Sequence, residues 1–441
     1  MLIRLVIQKT PHFLVRNFRG CSTHQCFPKC IEPESSSCVL INNWRRNDGA
    51  RKINRLEVIV KVTERCNIDC TYCYYFNGEN GDYANQPPYL TVDTARSLAI
   101  YLHNASRSHS IDEIRIDLHG GEPLLMKKTR MSVMLEIFRS SIPDSTDLTI
   151  CIQTNAILLD EEWISIFAKY NVSVGVSLDG PPRENDLYRV DKKGRGTHSA
   201  IAKAIEMLKK ANKKCAGVFA GVICVVNPDF DGRKVYRHFV DDLGIERIHF
   251  LKPNQTRDGA DIKLVEGTSK FLLDALNEWI NDSNPNIYVR QFTDPIRRLC
   301  ASGPSSPFSD RYVAVTVRAN GEIAIDDDFR NTLPSLFNLE LNVADSALAD
   351  FLNHPGVFDF HQACAEVPPS CLQCGANGIC QSGIGLNESV LHRYSFINKF
   401  RNASLFCQSH QAIIIRLGQF AISHGVPWST IEKNMIRIHD N

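Results

Sequence analysis

The stretch that decides the fold is residues 56–73, "LEVIVKVTERCNIDCTYC", an apolar run followed at once by three cysteines. The run "LEVIVKV" is short and rich in β-branched residues, so it predicts a β-strand. Cys66, Cys70 and Cys73 then follow at spacings of three and two intervening residues. Structural zinc ions and complete iron–sulfur clusters take four protein ligands. Three cysteines therefore predict a metal site with one open position, and the alternative is a zinc knuckle that takes a distant fourth ligand.

Five similar segments follow the first strand, and amphipathic helical patterns such as "THSAIAKAIEMLKKAN" lie between them. Alternation of strands and helices over about 230 residues predicts an α/β fold with a parallel sheet. Two arrangements fit, a partial barrel or an open doubly wound sheet, and both gather their chemistry at the carboxyl ends of the strands. The five segments are "EIRIDLH", "DLTICIQ", "VSVGVSL", "VFAGVICVV" and "RIHFLKP".

Four regions follow from this pattern. Residues 1–52 are irregular and contain cysteines, and residues 53–290 hold the alternating core. Residues 291–416 contain a predicted hairpin, "RYVAVTVRANGEIAIDDDF", and the loop-rich cysteine segment "EVPPSCLQCGANGIC". Residues 417–441 form a C-terminal helical tail.

The composition is that of an ordinary globular protein, with 441 residues, 43% hydrophobic residues and a net charge of +1. The neutral balance argues against nucleic acid and against an anionic membrane as partners. The opening residues lack the features of a secretory signal, and no apolar run approaches the roughly 20 residues of a membrane span. We therefore expect a cytoplasmic protein. Its 16 cysteines favour metal binding, with a disulfide framework as the alternative.

The "CNIDCTYC" loop after a strand resembles the signature loop of radical S-adenosylmethionine (radical SAM) enzymes, in which an aromatic residue such as Tyr72 is usual. This resemblance implies a partial (β/α)6 TIM-type barrel as the radical SAM core. It also implies that Cys66, Cys70 and Cys73 hold a catalytic [4Fe–4S] cluster. The fourth iron would bind S-adenosylmethionine, which is cleaved to methionine and a 5′-deoxyadenosyl radical.

Further matches lie after the next strands. "HGGEP" follows the second strand, and in the family its glycines let the backbone approach the cofactor. The resemblance implies that Ser177 of "SLDGP" contacts the ribose and that Arg189 lies near the carboxylate. For Arg189 the alternative is a solvated loop charge. The implied cofactor-binding residues are Tyr72, Gly120, Gly121, Glu122, Pro123, Ser177 and Arg189.

The C-terminal cysteines resemble the SPASM domain, which carries auxiliary clusters in peptide-modifying radical SAM enzymes. The resemblance implies one auxiliary [4Fe–4S] cluster, since Asp326 and Ile384 stand where ligands of a second cluster belong. Cys300 and Cys364 are left open between metal binding and buried packing. Four further cysteines, Cys21, Cys26, Cys30 and Cys38, are outside the resemblance. The implied ligands of the auxiliary cluster are Cys371, Cys374, Cys380 and Cys407.

The acidic run "DDDF" supplies a candidate base. In the related sulfatase maturases an aspartate just after the hairpin cysteine acts as the base, and Asp327 holds that position. We expect adjacent carboxylates to raise one another's pKa. Strand alternation would point Asp327 away from Asp326 and Asp328. The alternative is a solvated turn.

One segment, "HRYSFINKFRNASLFC", resembles maturases that cross-link ribosomal peptides into three-residue cyclophanes. The implied function is an oxidative C–C crosslink between an aromatic ring and a β-carbon of a precursor peptide. An electron donor such as flavodoxin or ferredoxin is implied as a second partner. Two alternatives are a sulfatase maturase that oxidises Cys or Ser to formylglycine, and a non-catalytic metal-binding scaffold.

Overall fold

The computed structural model describes residues 53–215, 217–282, 284–301 and 312–435. Cys21, Cys26, Cys30 and Cys38 lie outside these described residues. Among the described residues, none of the helices combines the length and apolar content needed to cross a bilayer.

The described residues contain nine strands, which are numbered in chain order. The six predicted strands are all present as β1 to β6, and the predicted hairpin is present as antiparallel β8 and β9. The strands are β1 (Arg55–Thr63), β2 (Glu113–Gly120), β3 (Asp147–Thr154), β4 (Val172–Ser177), β5 (Phe219–Val225), β6 (Arg247–Leu251), β7 (Tyr288–Val289), β8 (Tyr312–Val317) and β9 (Ile323–Ala324).

The α-helices in the described ranges alternate with the first six strands, and several short helices follow among longer ones. They are α1 (Val92–His109), α2 (Lys128–Ser141), α3 (Glu161–Lys169), α4 (Pro182–Tyr188), α5 (His198–Asn212), α6 (Gly232–Arg237), α7 (Ile262–Asn281), α8 (Arg290–Leu299), α9 (Leu348–Asn353), α10 (Pro355–Ala365), α11 (Pro369–Leu372), α12 (Asn377–Cys380), α13 (Cys407–Ser423) and α14 (Trp428–Met435).

The described residues form two compact units. The first unit contains residues 53–223 and 312–366, and the second contains residues 224–301 and 367–435. In the first unit the strand order is β5-β4-β3-β2-β1-β8-β9, with all neighbours parallel except the last pair. In the second unit β6 and β7 pair in parallel. The predicted α/β fold with a parallel sheet is confirmed.

Strand β1 is the centre of the first unit, because it is hydrogen-bonded on both sides, to β2 and to β8. Every residue of β1 after Arg55 is buried, as expected for a parallel strand covered on both faces. Two of these buried residues, Glu57 and Lys61, are charged. Since residues two apart face the same side of a strand, both point to one face.

Candidate functional site

The three cysteines follow β1 directly and form one tight loop. The Cys73 amide donates to the Cys70 carbonyl (3.1 Å), and none of the three thiols is in a disulfide. Burial raises the pKa of Cys66 to about 12, with smaller contributions from Glu122, Cys70 and Cys73. A thiol in this environment becomes a thiolate when a metal supplies positive charge. The donor set therefore fits a metal cluster.

Residues of two neighbouring segments form hydrogen bonds with this cysteine loop. The Asn155 side-chain amide donates to Asn67 Oδ1 (2.8 Å) and lies 4.0 Å from the Cys66 sulfur. The Asp69 amide donates to the Val190 carbonyl (2.7 Å), which joins the loop to the segment after α4. The loop thus has partners at the carboxyl ends of two other strand–helix units.

The Gly120–Gly121 pair packs against the backbone that leads into the cysteine loop. Gly120 has a φ of +131°, and a Cβ on Gly120 would lie 2.1 Å from the Thr63 carbonyl oxygen. A Cβ on Gly121 would lie 2.1 Å from the Arg65 carbonyl oxygen. Both positions require glycine because backbone occupies the space of a side chain.

Glu122 joins the ends of β2 and β3. Its fully buried carboxylate accepts hydrogen bonds from the Thr154 hydroxyl (2.6 Å), the Asn155 amide (2.7 Å) and the Leu124 amide (2.9 Å). Burial raises the pKa of Glu122, although these hydrogen bonds act in the opposite direction. Pro123 is buried and begins the short 3-10 turn that follows. Glu122 therefore stabilises the turn on which the two glycines lie.

Two predicted residues, Ser177 at the end of β4 and Arg189 after α4, lie on the same strand–helix unit. Arg189 is 6% exposed, so the solvated-loop alternative does not describe it. Its guanidinium donates to the Tyr72 hydroxyl (2.8 Å) and lies 3.9 Å from the Asp179 carboxylate, to which Tyr72 also donates. Ser177 accepts from the Gln153 amide (2.8 Å). The structure brings Arg189 together with Tyr72 and leaves Ser177 with a separate partner.

Asp327 lies in a buried polar cluster beside the cysteine loop. Lys61 Nζ donates to Asp327 Oδ2 (2.5 Å), and the hydroxyl of Tyr74, the residue after Cys73, donates to the same oxygen. Lys61 Nζ also lies 3.0 Å from His119 Nδ1. Lys61 and Asp327 are 1% and 4% exposed, so this is a buried ion pair. The solvated-turn alternative does not describe Asp327.

The three adjacent aspartates differ from what the sequence predicted. Burial acts to raise the pKa of Asp327, but the charge of Lys61, followed by smaller effects of His119 and Tyr74, brings it below the ordinary value. Asp326 has the expected raised pKa, caused first by burial and then by Asp328. Strand alternation fails because residues Asp327–Phe329 form a 3-10 turn that the Asp326 side chain caps.

Four predicted cysteines lie together in the second unit, where α12 ends at Cys380 and α13 begins at Cys407. The Gln411 amide lies 3.9 Å from the sulfurs of both Cys374 and Cys407. Burial raises the pKa of Cys407, and the nearby Cys371 and Cys374 raise it further. The Cys407 thiol therefore becomes a thiolate when a metal supplies positive charge.

In the described part of the chain, no three His, Cys, Asp or Glu side chains converge as ligands of a single metal ion would.

A buried carboxylate network contacts the four-cysteine site. The His410 Nδ1 atom lies 3.8 Å from the Cys380 sulfur, and its other ring nitrogen pairs with Glu388. Glu388 is also bound by Lys252 (3.1 Å) and His392 (2.9 Å). Burial acts to raise the pKa of Glu388, but the charges of His410 and Lys252 lower it well below its ordinary range.

The sequence reasoning missed several residues of these sites. Lys61 had a signal, because it is a charge within the apolar run "LEVIVKV", and Asp179 follows β4 within the quoted "SLDGP". His119 begins the quoted "HGGEP" turn and Tyr74 directly follows Cys73, but only the contacts in the structure link them to Lys61 and Asp327. Cys300 is exposed at the end of α8, and Cys364 is buried in α10 of the other unit.

Residues 60–230 match the model of the Radical SAM superfamily. The serine-type anaerobic sulfatase-maturating enzyme of Bacteroides thetaiotaomicron is 26% identical over 358 residues, covering 74% of this chain and 82% of the relative. The cysteine-type enzyme of Clostridium perfringens strain 13 is 24% identical over 340 residues, covering 74% of this chain and 88% of the relative.

Solved structures give the same fold. The structure of native anSMEcpe with bound AdoMet has a TM-score of 0.69 at 20% identity, covering 84% of this chain and 100% of that chain. The structure of native anSMEcpe with bound AdoMet and Cp18Cys peptide has a TM-score of 0.68 at 20% identity, covering 85% of this chain and 100% of that chain. S-adenosylmethionine and a [4Fe–4S] cluster are the cofactors of the radical SAM family, as predicted. Residues 60–230 thus carry the radical SAM domain, and this chain is a radical SAM enzyme related to the anaerobic sulfatase-maturating enzymes.

Proposed function

We propose that this enzyme matures a peptide or protein by oxidising a serine side chain to the aldehyde formylglycine, or a cysteine side chain to a thioaldehyde that water converts to the same aldehyde with release of hydrogen sulfide. The support is the similarity to serine-type and cysteine-type anaerobic sulfatase-maturating enzymes over about three quarters of the chain. We expected peptide crosslinking first and this reaction as the alternative. The relatives favour the alternative.

The observation that carries this proposal is the position of Asp327. Its carboxylate is buried, ionised by Lys61 and bonded to Tyr74, the residue directly after Cys73. Oxidation of a side chain requires a group that accepts a proton from the substrate, and a carboxylate beside the cofactor loop can do so. Asp327 is therefore the proposed base.

The proposed cofactor sites are assigned from the cysteines that could act as metal ligands. Cys66, Cys70 and Cys73 would hold the catalytic cluster, and the four cysteines of the second unit would hold one auxiliary cluster. When bound, these groups supply a carbon radical that removes a hydrogen atom from the substrate and a metal centre that takes up the surplus electron.

The turn and loop residues support the cofactor site. Gly120, Gly121, Glu122 and Pro123 would position the turn near the catalytic cluster, as packing against the cysteine loop favours. Tyr72, Arg189 and Ser177 would complete the S-adenosylmethionine site, with Arg189 as the counter-charge for its carboxylate. A flavodoxin or ferredoxin as electron donor and a cytoplasmic location stay predictions.

Crosslinking of a precursor peptide into a cyclophane is the second candidate. It is favoured by Asp326 and Ile384, which stand where the SPASM pattern has cysteines, and by the segment at residues 392–407. In that reaction Asp327 would take the proton that the aromatic ring loses when its aromaticity is restored.

Mass spectrometry with an aldehyde reagent separates the two reactions. The purified enzyme would be incubated anaerobically with S-adenosylmethionine, a reductant, and either a sulfatase-derived peptide or the peptide encoded beside its gene. Conversion of serine to formylglycine and crosslinking both remove two hydrogens, but only the first product reacts with a hydrazide. We expect a hydrazide-reactive sulfatase peptide, formed by wild type and not by Cys66→Ala.

Two other outcomes decide against parts of the proposal. A lighter, hydrazide-inert neighbouring peptide with an unchanged sulfatase peptide would establish crosslinking instead. Cleavage of S-adenosylmethionine with no change in either peptide would refute both candidate functions.

A further inference from the structure

We infer that Lys61 is a positioning residue that occupies Oδ2 of Asp327 and leaves Oδ1 as the oxygen that accepts the substrate proton. This inference rests on the proposed function, in which Asp327 accepts a substrate proton. It assigns a role to a residue on β1 that lies 266 positions from Asp327 in the chain.

The two oxygens of Asp327 have different surroundings. Oδ2 accepts hydrogen bonds from Lys61 Nζ (2.5 Å) and from the Tyr74 hydroxyl. Oδ1 is buried and accepts no hydrogen bond from any residue that the structure describes. An unbonded buried carboxylate oxygen is costly unless another group binds it. Oδ1 is therefore the oxygen available to take a proton from a bound substrate.

Lys61 itself has a fixed position. Its strand is hydrogen-bonded to β2 and β8, and the side chain is 1% exposed. Its ammonium donates to His119 Nδ1 (3.0 Å) and lies 4.6 Å from the centre of the Tyr75 ring. Burial, followed by the charge of Lys61, lowers the pKa of His119 to about 4, so the ring is neutral and Nδ1 accepts. The ammonium thus has three partners, one of which is the carboxylate.

Among the charged groups around Asp327, Lys61 is the main cation that favours the ionised form of its carboxyl group. Burial alone favours the neutral acid, and the neighbouring Asp326 acts in the same direction. Arg330 is a second cation, but its Nη2 donates to Asp82 (2.6 Å) and its guanidinium lies 3.8 Å from the Tyr75 ring. The titratable and charged groups around Asp327 are Lys61 from β1, His119 from β2, Tyr74 and Tyr75 from the cysteine loop, and Asp326, Asp328 and Arg330 from the turn.

The alternative role is structural, since an ion pair between β1 and the turn could serve only to hold the fold. A measurement that reports whether Asp327 acts as a base distinguishes the structural role of Lys61 from its positioning role. The measured quantity is the molar ratio of modified peptide to 5′-deoxyadenosine, because a failed proton transfer consumes S-adenosylmethionine without giving product. This ratio would be determined between about pH 5.5 and about pH 8.

The variants are Lys61→Gln, Lys61→Arg, Asp327→Asn and the control Lys128→Gln. Lys128 forms an ion pair of the same length, 2.5 Å to Asp160, on the exposed surface. In wild type we expect a ratio that does not change with pH over this range. In Lys61→Gln we expect a ratio that falls as the pH is lowered, by about tenfold for each pH unit below the new pKa of Asp327. Lys61→Arg should restore the flat profile, and Lys128→Gln should match wild type.

Each outcome decides one claim. A flat, wild-type ratio in Lys61→Gln overturns the role of Lys61, and so does a uniformly low ratio that Lys61→Arg does not restore. If Asp327→Asn keeps the wild-type ratio, the proposed base is wrong, whatever Lys61 does. If Lys61→Gln does not fold, the wild-type profile still tests the inference, because a wild-type ratio that falls already above about pH 6 contradicts an Asp327 held ionised by Lys61.

Discussion

The Arg189 guanidinium donates a 2.8 Å hydrogen bond to the Tyr72 hydroxyl, which in turn donates to the Asp179 carboxylate. This chain of contacts joins the segment after α4 to the cysteine loop and to the end of β4. A cation, a phenol and a carboxylate are thereby arranged next to the residues that would hold the catalytic cluster.

We predict that Arg189→Ala destabilises the apoprotein by about 3 kcal/mol, because it removes a buried cation that lies 3.9 Å from the buried Asp179 carboxylate. Arg189→Lys should lose less, since it keeps the charge but not the planar guanidinium. The free energy of unfolding would be measured by chemical denaturation without metal. Arg195→Ala is the matched control, because its partner Asp191 lies in an exposed pair. Equal destabilisation by both alanine variants would contradict the role of burial.

The glycine pair gives a second prediction. Gly121→Ala places a Cβ 2.1 Å from the Arg65 carbonyl oxygen, so the backbone entering the cysteine loop must move. We expect the variant to lose about half of the iron bound by reconstituted wild type, since only one of two predicted clusters depends on this loop. The matched control is Gly81→Ala in the same unit, where no atom lies within 4 Å of the added Cβ. Full iron content in Gly121→Ala would show that the loop accommodates the side chain.

The four cysteines of the second unit give a third prediction. Cys371→Ala should remove the auxiliary cluster and again lower the iron content by about half, while the three-cysteine site stays loaded. Cys300→Ala should bind as much iron as wild type, because Cys300 is exposed and no hydrogen bond in the described ranges joins it to the four. Iron analysis and electron paramagnetic resonance of the reduced proteins would check both. Loss of iron from Cys300→Ala would make Cys300 a ligand.

The sequence predicted the six alternating strands because each is a local apolar run between helical patterns. It also predicted the β8–β9 hairpin from its turn. The pairing of β8 with β1 was not predictable in this way, since Tyr312 lies opposite Arg55 across more than half of the chain. Nothing local in either segment specifies the other.

The candidate site likewise has features that local sequence patterns predict and features that only the fold creates. The cysteine spacing and the "HGGEP" turn are local patterns, whereas the environment of Asp327 depends on Lys61, Tyr74 and His119, which only the fold brings near it. The pKa of Asp327 was predicted in the wrong direction for this reason. Adjacent carboxylates in the sequence indicate repulsion, but the buried ammonium that outweighs it is far away in the chain.

His119 gives the last prediction, which concerns stability and pH. Its pKa falls from 6.5 to about 4 on folding, first through burial and then through Lys61, so the unfolded chain binds a proton that the folded protein does not. Stability must therefore fall as the pH is lowered from about 6.5 to about 4. His119→Gln keeps an acceptor for Lys61 and removes this titration, so its loss of stability over that window should be smaller by about 1–3 kcal/mol. Denaturation curves of both apoproteins at about pH 7 and about pH 5 would measure the difference, and other buried histidines contribute equally to the two. Parallel losses in wild type and His119→Gln would mean that His119 is protonated in the folded protein and cannot accept from Lys61.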